Sequence, residues 1–259
     1  MGALHAGHLA LVREARGRCG AVVVTVFVNP TQFGPGEDFE RYPRDLESDL
    51  DRLAEEGGVD VVFFPSDAEI YPGGAGALRV SVHVTGMADV LCGPFRPGHF
   101  EGVATIVCKL FNVCRPDVAV FGRKDAQQFV IIRRMNDDLN LGIDVVGVDT
   151  VREPDGLALS SRNAYLTSAE RSEAVVLSRA AAAARRFIEG GERAVDVILR
   201  QMEQEVANAP LARLQYASVV DGESLEETDE LVSGQTALAA LAVHFGSTRL
   251  IDNAFVRVP

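Results

Sequence analysis

Two imidazoles stand three residues apart in the opening stretch MGALHAGH, at His5 and His8, with Gly7 between them. On a helix that spacing puts both rings on one face. A helix N-terminus also offers unpaired N–H groups and partial positive charge to an anionic phosphate. Gly7 has no side chain, so a flat base or ribose can lie close against the helix. The same pattern fits a capping histidine or a metal-binding pair, although a metal needs a third ligand and none is evident nearby.

Four further clusters carry chemistry. FVNPTQF holds Asn29 and Gln32, neutral amides able to read hydroxyl and carboxylate groups without neutralising them; a plain strand-ending turn is the competing reading. FGRKDAQQ holds Lys124, a mobile point charge for a phosphate, Asp125, able to accept from ribose hydroxyls, and Gln128 one helical turn later. A solvated helix cap would explain the same residues. LSSRN offers the hydroxyls of Ser160 and Ser161 and the guanidinium of Arg162, a triphosphate clamp or an ordinary turn. Asp49, after YPRD, can place a carboxylate near a magnesium ion or simply face solvent, and RPGHFEG at 96–102 reads as a loop.

The elements that must position these groups follow from periodicity. Residues 6–19 have helical apolar spacing, and 21–28 (AVVVTVFV) form a continuous β-branched run of the kind buried on both faces of a parallel sheet. Helices are expected over 46–56, 103–113 and 126–139, strands over 59–64, 118–121 and 143–148, and a further strand over 79–84. Strands alternating with helices imply βαβ units, a Rossmann-like parallel sheet with helices on both faces. In such a sheet the C-terminal strand ends line the ligand crevice, which is where Asn29 and Lys124 fall. Beyond residue 151 the pattern changes to Ala-rich helices over 169–188 and 194–207, then strands over 214–220, 236–243 and 249–252. The division expected is therefore a Rossmann-like domain over 1–151 and a smaller α+β domain over 152–259.

Acidic residues outnumber basic ones, 37 to 25, for a net charge of -12, which argues against a nucleic-acid surface. No apolar run is long enough to span a membrane. The cysteines Cys19, Cys92, Cys108 and Cys114 form no CxxC pair and no signal-peptide pattern opens the chain, so reduced thiols in a cytoplasmic protein are expected.

Taken in order, MGALHAGH, FVNPTQF, YPRDLESDL, RPGHFEGV, FGRKDAQQ and REPDGLALSSRNAYL closely resemble the pantothenate synthetases (pantoate–β-alanine ligases) of the HIGH-motif nucleotidyltransferase superfamily. The resemblance is dense over residues 1–166 and looser through TRLIDN at 248–253. It implies a Rossmann-like domain with a smaller C-terminal domain, a homodimer, and ATP accompanied by magnesium. Carried over position by position, it implies that ATP contacts Met1, Gly2, Ala3, Leu4, His5, Gly7 and His8. Gly122, Arg123, Lys124, Asp125 and Val151, with Leu159, Ser160, Ser161 and Arg162, would complete the ATP site. His8 would be catalytic, supported by His5, Lys124 and Arg162. Gln32, Gln128 and Asn29 would hold pantoate and receive β-alanine, and Asp49 would lie near the metal.

The chain departs from the family at Arg123 and Cys92, where glutamate is common, and at Ser48 and Arg52 in the phosphate–metal region. Family members carry a strand, a helix and a Pro-Thr dipeptide ahead of the motif that Met1 opens here, so the resemblance implies a sheet without that strand. The chemistry implied is adenylation of pantoate by ATP followed by attack of the β-alanine amine. A simple nucleotidyltransferase and a catalytically silent ATP-binding module are the competing readings; the first predicts a basic acceptor pocket, the second no pyrophosphate release.

Overall fold

The computed structural model describes residues 2–259 and has a mixed α/β fold in two compact units. The first comprises residues 2–89, 93–123 and 131–149; the second comprises 90–92, 124–130 and 150–259. Met1, expected to contact ATP, lies outside the described residues.

In the first unit, α1 (Ala6–Arg18) leads into β1 (Val23–Thr25), α2 (Leu46–Glu56) and β2 (Val61–Phe63). The strands are parallel, with Val23 opposite Val61 and Thr25 opposite Phe63. The β-branched run at 21–28 pairs over only three residues because β2 offers no more; Val26 N–H still donates to Phe63 O at 2.9 Å. Leu4, Val12, Val22, Val24, Val26 and Leu53 form one core beneath α1 and α2.

α3 (Asp67–Ile70) starts on a Ser66/Glu69 capping box, and α4 (His99–Cys114) starts after Gly98 at φ +79°. That reversal begins α4 four residues ahead of the expected 103. β3 (Val118–Gly122), α5 (Ala126–Asp138) and β4 (Asp144–Val148) follow, with β3 and β4 parallel and Val118 opposite Asp144. Among the described residues the parallel strands thus form two pairs, β1 with β2 and β3 with β4. The strand expected at 79–84 does not form. Val82 and Val84 do pack on the core, but Val82 N–H donates to the Thr105 hydroxyl at 2.9 Å instead of joining a ladder.

The second unit holds α6 (Ser168–Glu173), α7 (Val176–Glu189), α8 (Val195–Ala207) and an antiparallel sheet of β5 (Ala212–Asp221), β6 (Thr236–Phe245) and β7 (Thr248–Arg257) in that order. The single helix expected at 169–188 breaks at Ala174 and Val175. On one side Arg171 bridges Glu153 and Asp155, both at 2.7 Å; on the other, the apolar face of α7 packs on the sheet. β7 runs to Arg257, well past the expected 252, because all of β6 pairs with it. No helix among the described residues is long and apolar enough to cross a membrane.

Candidate active site

His5 is the N-cap of α1, and its side chain makes the cap itself. Its Nδ1 accepts from Gly7 N–H at 3.2 Å, while His8 Nδ1 accepts from His5 N–H at 3.3 Å. The rings lie 4.1 Å apart. A ring nitrogen that accepts from a backbone N–H carries no proton, so each neutral imidazole is protonated at Nε2. The cap thereby turns both histidines into Nε2–H donors. Gly7 is also needed for a reason internal to the protein. A Cβ on it would stand 2.9 Å from His5 Cε1, so the missing side chain makes room for the His5 ring.

The segment ahead of α1 is gripped by α2. Asp49, only 2% exposed, accepts from Ala3 N–H at 3.0 Å and from Leu4 N–H at 2.6 Å, while Arg52 donates to Leu4 O at 2.7 Å. The grip holds Ala3 at φ +52°, a left-handed conformation that costs a non-glycine residue about 1 kcal/mol or more. Both Asp49 oxygens thus accept from backbone N–H groups, one bond each. Replacing Asp49 with alanine is expected to cost about 1–3 kcal/mol. A thermal melt would show this as a fall of several degrees; an unchanged midpoint would remove Asp49 from this role.

Asn29 ends the β1 segment and is also buried, at 3% exposure. Its Nδ2 donates to Gln32 Oε1 and to Gly102 O, each at 3.2 Å. Its Oδ1 accepts from Tyr71 OH at 2.6 Å, from the Thr31 hydroxyl at 3.0 Å and from Thr31 N–H at 3.4 Å. Every polar atom of this amide is engaged by protein groups, and through Nδ2 it holds Gln32.

A second set of bonds holds the Gln32 backbone. His99 Nδ1 lies 2.7 Å from Gln32 O, which can only accept, so Nδ1 carries the proton and Nε2 accepts from Arg96 at 2.9 Å. Arg96 in turn makes two 2.7 Å bonds to Glu37. Burial pushes the Glu37 carboxyl up, but the hydrogen bonds and charge of Arg96 outweigh it and hold the group below its ordinary value of 4.5. A depressed carboxylate contributes stability that is fully present above its unfolded pKa and is lost as pH falls through its folded one. The stability gap between the parent chain and Glu37→Gln should therefore be constant from pH 7 to about 5 and shrink below 4.5. Denaturant titrations across that range test it, and a gap independent of pH would contradict it.

The remaining predicted residues lie at the end of β3 and in the second unit. Gly122 closes β3, and Arg123 pairs with Asp149 at 3.0 Å. Lys124, in the second unit, has its carbonyl held by Asn253 Nδ2 at 2.8 Å. Asp125 and Gln128 follow at the start of α5, where the neighbouring Gln127 is buried and grips Val90 O and Cys92 N–H at 2.8 and 3.0 Å. The loop carrying Val151, Leu159 and the SSR triplet is a tight hairpin: Glu153 N–H donates to Leu157 O, and Leu159 N–H to Val151 O. Arg152 fastens it to the sheet by two bonds to Asp252, at 2.6 and 2.9 Å, whose side chain is 1% exposed and would be costly to leave unpaired. Ser160 Oγ accepts from Arg162 N–H at 3.3 Å and keeps its own proton to donate.

Against this geometry the family model described as pantoate-beta-alanine ligase matches residues 1–255. The chain belongs to the pantoate–β-alanine ligase family. It is 57% identical to the pantothenate synthetase of Salinibacter ruber, covering 100% of this chain and 89% of the relative. With that of Heliobacterium modesticaldum it shares 55% identity, over 100% and 90%. The fold matches the crystal structure of pantothenate synthetase from Thermus thermophilus with a TM-score of 0.92 at 47% identity, over 99% of this chain and 91% of that one. The pantoate-beta-alanine ligase of Francisella tularensis, solved in complex with beta-gamma ATP and beta-alanine, matches with a TM-score of 0.75 at 33% identity, over 98% and 87%.

Within this pantoate–β-alanine ligase, then, the structure brings His5 to His8 and Asn29 to Gln32, and it assigns Asn29 and Asp49 to holding other groups. Sequence reasoning missed Tyr71, Glu37, Arg96 and His99. The last two lie in RPGHFEG, whose Gly-His pair at a helix start was the available signal; Tyr71 had none.

Proposed function

We propose that this chain condenses (R)-pantoate with β-alanine to pantothenate, cleaving ATP to AMP and pyrophosphate through a pantoyl-adenylate intermediate, as a step of pantothenate and coenzyme A biosynthesis. The observation that carries the reading is the cap of α1. It presents two Nε2–H donors at a helix N-terminus, in a chain that matches its family from residue 1 to 255. The ATP and β-alanine bound by the Francisella tularensis relative support the substrate pair.

In the first step the pantoate carboxylate attacks the α-phosphorus and pyrophosphate leaves. A carboxylate is ionised at neutral pH, so no general base is required and positioning with charge stabilisation supplies the catalysis. His8 and His5 donate to phosphate oxygens through Nε2–H, with His8 nearest the reacting phosphate. Lys124 and Arg162 neutralise the charge that builds on the transferring and leaving groups, and Ser160 and Ser161 donate hydroxyl protons. Residues 2–4, Gly122, Arg123, Asp125, Val151 and Leu159 line the nucleotide. Gln32 and Gln128 hold pantoate, with Asn29 beside Gln32. In the second step the neutral amine of β-alanine attacks the mixed-anhydride carbonyl, the bond to the phosphate oxygen breaks, AMP leaves, and the amine loses a proton.

No group of three or more potential metal ligands occurs among the described residues, and Asp49 accepts one backbone N–H bond on each oxygen. Magnesium enters this scheme mainly through the ATP phosphates, with Asp49 the side chain placed near it. Residues 1–151 serve ATP and pantoate, and residues 152–259 carry the phosphate loop. The working form is a cytoplasmic homodimer acting on small molecules, with neither nucleic acid nor membrane as partner.

The test is pyrophosphate release from ATP and pantoate by the purified chain, with and without β-alanine. Pantoate-dependent release, with AMP and pantothenate appearing when β-alanine is added, is the expected result. Release that ignores pantoate would sink the reading.

A further inference from the structure

Asn29 faces two groups whose polarity allows only one arrangement. Gly102 O can only accept and Thr31 N–H can only donate, so the Asn29 amide must turn Nδ2 to the first and Oδ1 to the second. Nδ2, thus fixed, needs an acceptor where it meets the Gln32 side chain, and this turns Gln32 Oε1 inward. The Gln32 NH2 is left as the end presented to a ligand. Tyr71 completes the lock. Its hydroxyl donates to Asn29 Oδ1 at 2.6 Å and lies 3.2 Å from the Thr31 hydroxyl, on a side chain 1% exposed. Burial pushes the Tyr71 phenol above its ordinary pKa, so the donor stays protonated at neutral pH. The ring is packed independently of its hydroxyl, 6.3 Å from the Phe27 ring and with Lys109 Nζ 5.4 Å from its centre.

We propose that Tyr71 is a positioning residue for pantoate, acting through Asn29 to hold the Gln32 amide with Nε2 toward the substrate. The position then selects for acceptor oxygen, a carboxylate or hydroxyl, and against ammonium or amide N–H at that point of the ligand. The inference rests on the pantoate reading of Gln32, and its test separates the two.

Tyr71→Phe removes one hydroxyl and keeps the ring. It should raise KM for pantoate about tenfold, the scale of one lost hydrogen bond, with kcat and KM for ATP within about twofold. In a Gln32→Ala background the same change should leave KM for pantoate unaltered, which a general structural role would not produce. A KM for pantoate within twofold of the parent overturns the proposal, as does an equal effect in both backgrounds. If Tyr71→Phe does not fold, Asn29→Asp, which cannot donate to Gln32 Oε1, takes its place with the same expectations.

A second arm needs no turnover. Hydrogen exchange of the Asn29 side-chain NH2, followed by NMR on the ligand-free chain, should speed up at least about tenfold in Tyr71→Phe, since the amide protons open more often without the lock. Unchanged exchange overturns the proposal even if the enzyme is active. Faster exchange in a chain that never releases pyrophosphate with pantoate would uphold the lock and discard the substrate reading.

Discussion

Replacing Lys124 with alanine should lower pantoate-dependent pyrophosphate release by about 10²–10³-fold, the usual cost of removing one preorganised charge-stabilising donor from a reacting phosphate or oxyanion. The structure makes this a clean experiment. Lys124 lies in the short turn between β3 and α5, and the hydrogen bond from Asn253 goes to its backbone carbonyl, which alanine retains. The variant should therefore melt within a few degrees of the parent. A steady-state pyrophosphate assay beside a thermal melt separates the outcomes. Loss of rate with an intact fold assigns the ammonium to the reaction; near-normal turnover removes Lys124 from it.

Substituting Gly102 by alanine should be nearly as damaging, for a reason that lies wholly in packing. A Cβ at this position would meet Thr31 O at 2.3 Å, Thr31 C at 2.6 Å and Gln32 Cα at 2.9 Å. All three are backbone atoms, so no rotamer change relieves the clash and the turn carrying Gln32 must move. Overpacking of this kind costs about 1–3 kcal/mol in stability. The shift also strains the Asn29 bond to Gly102 O, through which the Gln32 amide is oriented. Pantoate KM should rise more than tenfold while that for ATP changes less, since misplacing a positioning group by about 1 Å can cost as much as 10²-fold. Equal rises in both constants would point to a general loosening of the fold instead.

These two positions differ in how they could be found. Lys124 stands in a motif whose charge and place after a strand make it a candidate for a phosphate contact. Gly102 sits in RPGHFEG, which composition alone marks only as a loop, and its importance exists only because α4 crosses the 30–32 turn at backbone contact.

The same division runs through the whole molecule. Local pattern was enough for the alternation of helices and parallel strands, for the start of α1 at the His5 cap, and for the α+β character of the C-terminal part. Each depends on residues a few positions apart. Composition and motif order were enough for the ligase family. Local pattern overreached on the length of β1, the strand at 79–84 and the unbroken helix at 169–188, and fell short on the length of β7. A ladder is only as long as its partner, and a helix ends where two distant anchors pull on it.

The roles of polar side chains needed the tertiary structure most of all. Asn29 and Asp49 have the residue types of ligand-binding groups, and their sequence context leaves a turn or a solvent-facing acid equally open. Both are buried, and both are held by protein atoms at least 42 residues away, Tyr71 and Gly102 for one and Ala3 and Leu4 for the other. A side chain's chemistry can be read from its type. Whether that chemistry faces a ligand or the protein is decided by what the fold brings against it, because a buried polar group must be satisfied by whatever lies within about 3 Å.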